Sequence, residues 1–101
     1  MSTSGDEANS FNRALAARLT ELRKQRSTSQ STLAAELGID QGAVSRVESG
    51  NRRLTAAQTF AWLEALGIEP DSSADELSQL WREHGERPAS FWNEKEDSDR
   101  V

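Results

Sequence analysis

The chain has 101 residues, a net charge of −5, no cysteine and only 35% hydrophobic residues. That length holds one compact domain, and the absence of thiols excludes disulfides and thiolate metal sites. No apolar run approaches the roughly 20 residues of a membrane-spanning helix, and the polar start MSTSGDEANS carries no apolar signal region, so a cytoplasmic location is expected.

The acidity is unevenly spread. Residues 11–53 hold eight Arg and Lys against four Asp and Glu, whereas residues 54–101 hold four against eleven. A basic first half can face a polyanion within a negative chain, because the local field at a binding face governs contact.

Residues 1–9 are small and polar, and a disordered leader is expected there. From Ser10 onward Phe11, Leu15, Leu19 and Leu22 recur at helical spacing, and KQRSTS ends that first helix with cations at its negative pole. Ser29 suits the N-cap of a second helix from Gln30, with Leu33 and Leu37 facing inward. Gly38 then closes it in a left-handed conformation. Asp40 suits the N-cap of a third helix running to about Ser49, stopped by Gly50-Asn51. Thr55 and Gln58 spell a capping box for a fourth helix to Leu66, ended by Gly67. Ser73 and Glu76 spell another for a fifth helix to about His84, which leaves Pro70 and Pro88 in connectors. Nothing alternates with period two over a useful length, so the fold class is all-α with five helices. The domain then spans residues 10–84, and residues 85–101 form an acidic, aromatic-containing tail that is partly disordered.

Two short helices joined by a turn containing glycine define a helix-turn-helix unit. Ala34 is small where those helices must approach. Val44 and Val47 anchor the third helix inward, while Gly42, Ser45, Arg46 and Ser49 fall on its other side. Glu48 follows Val44 by one turn and points to the inner edge. A carboxylate there needs a cation, which Arg23 on the flank of the first helix can supply, unless Glu48 simply reaches solvent.

With these pieces in place, residues 22–68, LRKQRSTSQSTLAAELGIDQGAVSRVESGNRRLTAAQTFAWLEALGI, resemble the lambda/434 repressor and Cro (XRE) family of helix-turn-helix proteins. The matching pieces are L-R, S-Q-x-x-L-A, both L-G-I segments and V-S-R-V-E-S-G. The resemblance implies a five-helix lambda-repressor-like bundle whose third helix enters the DNA major groove, usually as a dimer on a palindromic site. It places a structural ion pair on Arg23 and Glu48. It assigns phosphate contacts to Gln30, Ser45, Asn51, Arg52 and Arg53, and base-facing positions to Asp40, Gln41, Gly42 and Arg46.

Chemistry ranks these residues. The fork of Arg46 matches guanine O6 and N7, and Gln41 can pair with adenine, although phosphate contact and plain helix-start filling stay open for them. Asp40 can accept from cytosine N4 or can cap the helix. Gly42 either permits a close approach to a base or only weakens the helix. Outside this unit, Trp62, Leu77, Leu80, Trp81, Phe91 and Trp92 are candidates for a dimer or partner surface, with core packing as the alternative.

Catalysis finds no support. His84 is the single histidine, no nucleophile–base–orienter pattern occurs, and G-N-R-R is not a phosphate-binding Walker sequence. Neither a cofactor nor a metal is called for. The reading is a non-enzymatic, sequence-specific double-stranded DNA-binding transcriptional regulator, most simply a repressor acting as a homodimer. The alternative is a protein-interaction module or antitoxin whose acidic, Trp-containing half binds a partner protein.

Overall fold

A computed structural model of the chain describes residues 10–87. Five helices follow in order: α1 Ser10–Gln25, α2 Gln30–Leu37, α3 Gln41–Glu48, α4 Ala56–Ala65 and α5 Pro70–His84. No strand occurs among the described residues. The expected leader at 1–9 and most of the expected tail, with Pro88, Phe91 and Trp92, lie outside them.

The helix boundaries follow from local chemistry. The Ser29 side chain accepts from Thr32 N–H at the start of α2, which satisfies an amide the helix cannot pair itself. Gly38 ends α2 at φ 74°, ψ 30°, a left-handed conformation that costs glycine nothing. Ile39 N–H then reaches back to the Ala34 carbonyl. At α4, Gln58 N–H donates to Thr55 Oγ1 and Thr55 N–H donates to Gln58 Oε1, the reciprocal capping box spelled by T-x-x-Q.

The fifth helix corrects the sequence expectation. It begins at Pro70, with Glu69 in the N-cap position and no side-chain cap. Pro70 is therefore the first helical residue, where its missing N–H and fixed φ suit a helix start. Ser73 lies one turn inside, fully buried, and makes no capping box with Glu76.

The core explains why. Leu15, Leu19 and Leu22 of α1 meet Leu33 and Ala34 of α2, Val44 and Val47 of α3, Trp62, Leu63 and Leu66 of α4, then Ile68 and Leu80. Leu33 and Val44 have no exposed surface, so the two helices of the helix-turn-helix are locked face to face. Trp62 (2% exposed) and Leu80 (8% exposed) are interior residues, which removes both from the expected dimer or partner surface. Trp62, Leu63 and Leu66 form a wide apolar arc on α4 and its C-cap, and all three are buried in the bundle core. Leu77 packs partly against that core, whereas Trp81 stays 36% exposed.

Polar contacts fasten the helices across the core. Arg18 of α1 grips both carboxylate oxygens of Glu76 on α5, at 2.8 and 2.9 Å. Arg26 Nε donates to the Leu66 carbonyl at the end of α4, where a cation also complements the helix dipole. Ser10 Oγ donates to the His84 carbonyl, which brings the start of α1 beside the end of α5.

Candidate nucleic-acid interface

Helix α3 is eight residues long with one face committed to the core. Ala43, Val44 and Val47 are buried, while Gln41, Gly42, Arg46 and Ser49 are exposed and Ser45 is half-buried. The 100° turn per residue separates the two sets. Val44 and Val47 thus press the helix against the bundle and present the remaining side chains outward.

The start of α3 is tightly specified. Asp40 Oδ1 accepts from Ala43 N–H at 2.7 Å, the N-cap bond that its residue type favours. One carboxylate oxygen is therefore engaged in holding the helix start.

Beneath the other end lies an ion pair. Arg23 Nε and Nη2 donate to Glu48 Oε2 and Oε1 at 2.7 and 3.0 Å, and Arg23 Nη1 donates to the Thr28 carbonyl. Their side chains are 11% and 5% exposed. The carboxylate holds the Arg23 guanidinium in its charged form, raising its already high pKa against the opposing effect of burial. Two parallel bonds fix the geometry better than a single point charge would.

Gln30 connects this pair to the exposed face. Its Nε2 donates to Glu48 Oε1 at 2.9 Å, and its Oε1 accepts from Gln41 Nε2 at 2.7 Å. Gln41 keeps one N–H and its carbonyl oxygen, the donor and acceptor that match adenine N7 and N6–H. Gln30, assigned to phosphate by resemblance, has both ends of its amide engaged within the protein and retains one N–H.

Arg46 and Gly42 share the centre of the exposed face. A Cβ on Gly42 would lie 3.4 Å from Arg46 Nη1 and 3.5 Å from Asp40 Oδ1. The missing side chain leaves the shelf over which the Arg46 guanidinium extends, one turn back along the helix. Both are ordinary contact distances, so the surroundings do not demand a glycine at this helix position, where it costs stability.

The loop after α3 is folded back on the helix. Gly50 turns it at φ 84°, and the N–H groups of Asn51 and Arg52 both donate to the Arg46 carbonyl, at 2.9 and 3.1 Å. Those two amides are therefore spent within the protein rather than free for phosphate. Asn51 Nδ2 also turns inward, to Ser49 Oγ. The side chains of Arg52 and Arg53 are exposed.

Two contacts have no signal in the sequence. Arg18–Glu76 and Arg26–Leu66 join residues 58 and 40 positions apart, and no local spacing rule relates such distant positions. The charges of Arg18, Arg26 and Glu76 are visible in the sequence, but not their partners.

A capped and braced helix carrying polar side chains, followed by a cationic loop, is the architecture of a helix-turn-helix DNA-binding protein. The chain belongs to the Cro/C1-type (XRE) helix-turn-helix family, whose model matches residues 19–72, more than half of its length. That family is a non-enzymatic, DNA-binding one, so DNA is the partner of this domain. No curated protein matches the chain. No helix among the described residues is long and apolar enough to cross a membrane.

Proposed function

We propose that this protein is a sequence-specific transcriptional repressor that binds a palindromic operator as a homodimer, with α3 in the major groove. The observation that carries the reading is the outward pair on α3. Gln41 is held in place by Gln30, and the Arg46 guanidinium lies over the gap left by Gly42. Amide and guanidinium groups discriminate bases at about 1–3 kcal/mol per good bidentate contact. Arg52 and Arg53, with Ser45, Asn51 and the remaining N–H of Gln30, serve the phosphate backbone and fix the register.

The dimer seam in this reading is on α5. Trp81 is 36% exposed and stacks edge-to-face on Phe11 with ring centres 5.6 Å apart. A large aromatic left half-open beside another one favours a second copy. Two-fold pairing would set the recognition helices about 34 Å apart, one turn of B-DNA.

Selection of bound sequences from random duplex DNA tests the reading. A palindromic consensus is the expected result, and no enrichment over the input library would overturn it.

A further inference from the structure

Two large apolar side chains stand exposed among the described residues, Trp81 and Ile39. Trp81 rests against Phe11, whereas Ile39 borders a groove between the α2–α3 turn and α4. Leu37, Val47, Leu54 and Ala61 complete its apolar wall, and the space is about 240 Å³. Engineered apolar cavities of about 150 Å³ hold a benzene ring. The groove is therefore of a size for a ring or short alkyl chain with one polar group attached.

The polar side chains that line the groove share one property. Arg52 carries only donors and makes no ion pair with another described residue. Gln58 has its Oε1 engaged by the Thr55 N–H, which leaves the donors on its Nε2. Trp62, 2% exposed, has an Nε1–H with no hydrogen-bond partner among the described residues, and a buried donor in that state is costly. No carboxylate is among the lining residues. Unengaged donors beside an apolar wall complement an acceptor-only anion on an apolar body, and a carboxylate is such a group.

We propose that this groove is a site for a small monocarboxylic acid with an apolar body, and that the bound acid weakens DNA binding through Arg52. The apolar body covers Ile39 and Leu54, and the carboxylate takes the Arg52 guanidinium. That guanidinium serves the phosphate backbone in the reading above, so acid and phosphate compete for it. The coupling rests on that reading, whereas the groove as a binding site does not. Gln41 and Arg46 are not among the lining residues, so base preference persists while overall affinity falls. The effect is reciprocal, and DNA weakens acid binding by the same factor.

The test titrates the full chain with hydrocinnamate and, in parallel, with its uncharged amide. In NMR spectra recorded without DNA, the Ile39 and Leu54 methyls and the Trp62 Nε1–H should shift saturably with the acid. The acid should bind about tenfold tighter than the amide, and Arg52→Gln should abolish that difference. Ala61→Met, which fills the groove from an exposed position of α4, should remove binding. No saturable shift up to about 10 mM acid would overturn the site. An amide that binds as well as the acid, or an Ala61→Met variant that binds unchanged, would do the same. Methyl shifts that follow chain concentration without acid would assign the groove to a second copy and also refute the proposal. On random-sequence duplex at matched ionic strength, saturating acid should lower affinity about fivefold or more, and should have no effect on the Arg52→Gln variant. Groove binding with unchanged DNA affinity would overturn the coupling and locate the failure in the phosphate reading of Arg52.

Discussion

Glu48 and Gln41, the last and first residues of α3, are joined through one side chain, that of Gln30. The buried ion pair under the helix is thereby connected to an exposed amide on its outer face. Polar chains of this kind hold a side chain in one orientation because each member limits its neighbour.

Gln30→Ala removes both bonds at once. One of them ends on a carboxylate, so the loss should be about 2 kcal/mol of folding stability, measured by urea denaturation. Preference at the base pair read by Gln41 should relax, while preference at the Arg46 position persists. Unchanged selectivity at both positions would show that the link does not orient Gln41.

Arg23→Met strands the Glu48 carboxylate in a site where it is 5% exposed. Removing one partner of a buried pair costs about 3–5 kcal/mol. The double variant R23M/E48L should recover most of that loss, because two apolar side chains leave no charge uncompensated. Denaturant midpoints of the three proteins decide the matter, and a double variant as unstable as R23M would contradict the explanation.

Gly42→Ala separates folding from reading. A methyl group there meets Arg46 Nη1 at ordinary contact distance, so the helix should gain about 0.5–1 kcal/mol from the better helix former. Gly42→Leu, in contrast, fills the shelf and should displace the Arg46 guanidinium, weakening discrimination at its base pair. Thermal unfolding reads the first effect and sequence selection the second.

Arg46→Ala and Arg53→Ala should fail in different ways. The first should relax preference at one base pair in each half-site. The second should weaken binding to every sequence and reduce the slope of log affinity against log salt by about one. Equal salt slopes in the parent and the Arg53 variant would argue against a phosphate contact.

Acid should loosen the α1–α5 contact through Glu76. The Arg18 guanidinium holds the Glu76 carboxyl below its ordinary value of 4.5, against the opposing effect of burial. The folded state therefore binds that proton less readily than the unfolded chain does. Its stabilisation is complete above the ordinary carboxylate value and fades as pH falls through the depressed folded value. With the Glu76 side chain 26% exposed, the contribution is about 1 kcal/mol or less. Glu76→Gln should flatten the stability curve below about pH 4.5, as recorded by denaturation at a series of pH values.

Much of the helix-turn-helix is legible in the sequence because it is written in short-range rules. Ser29, Gly38, Asp40 and Thr55 each act within four residues of their own position, and Val44 with Val47 states the buried face of α3 directly. The α5 start is read too late because Ser73 and Glu76 imitate a capping box. Burial of Ser73 against the bundle and the preference of Pro70 for a first helical position outweigh that local pattern. Trp62 shows a related difficulty. An apolar side chain beside a wide apolar arc looks the same in sequence whether it faces its own core or another molecule. Only the arrangement of all five helices decides, and it places Trp62 inside.

The Arg46 carbonyl receives the N–H groups of both Asn51 and Arg52, so the backbone of the residue proposed to face a base is also the hinge pin of the cationic loop. The distance between the two kinds of DNA contact proposed above is thereby built into a single peptide group. New operators are accessible to this scaffold by exchanging side chains on α3, but lengthening or shortening the loop after Gly50 would move the reading frame and the grip together.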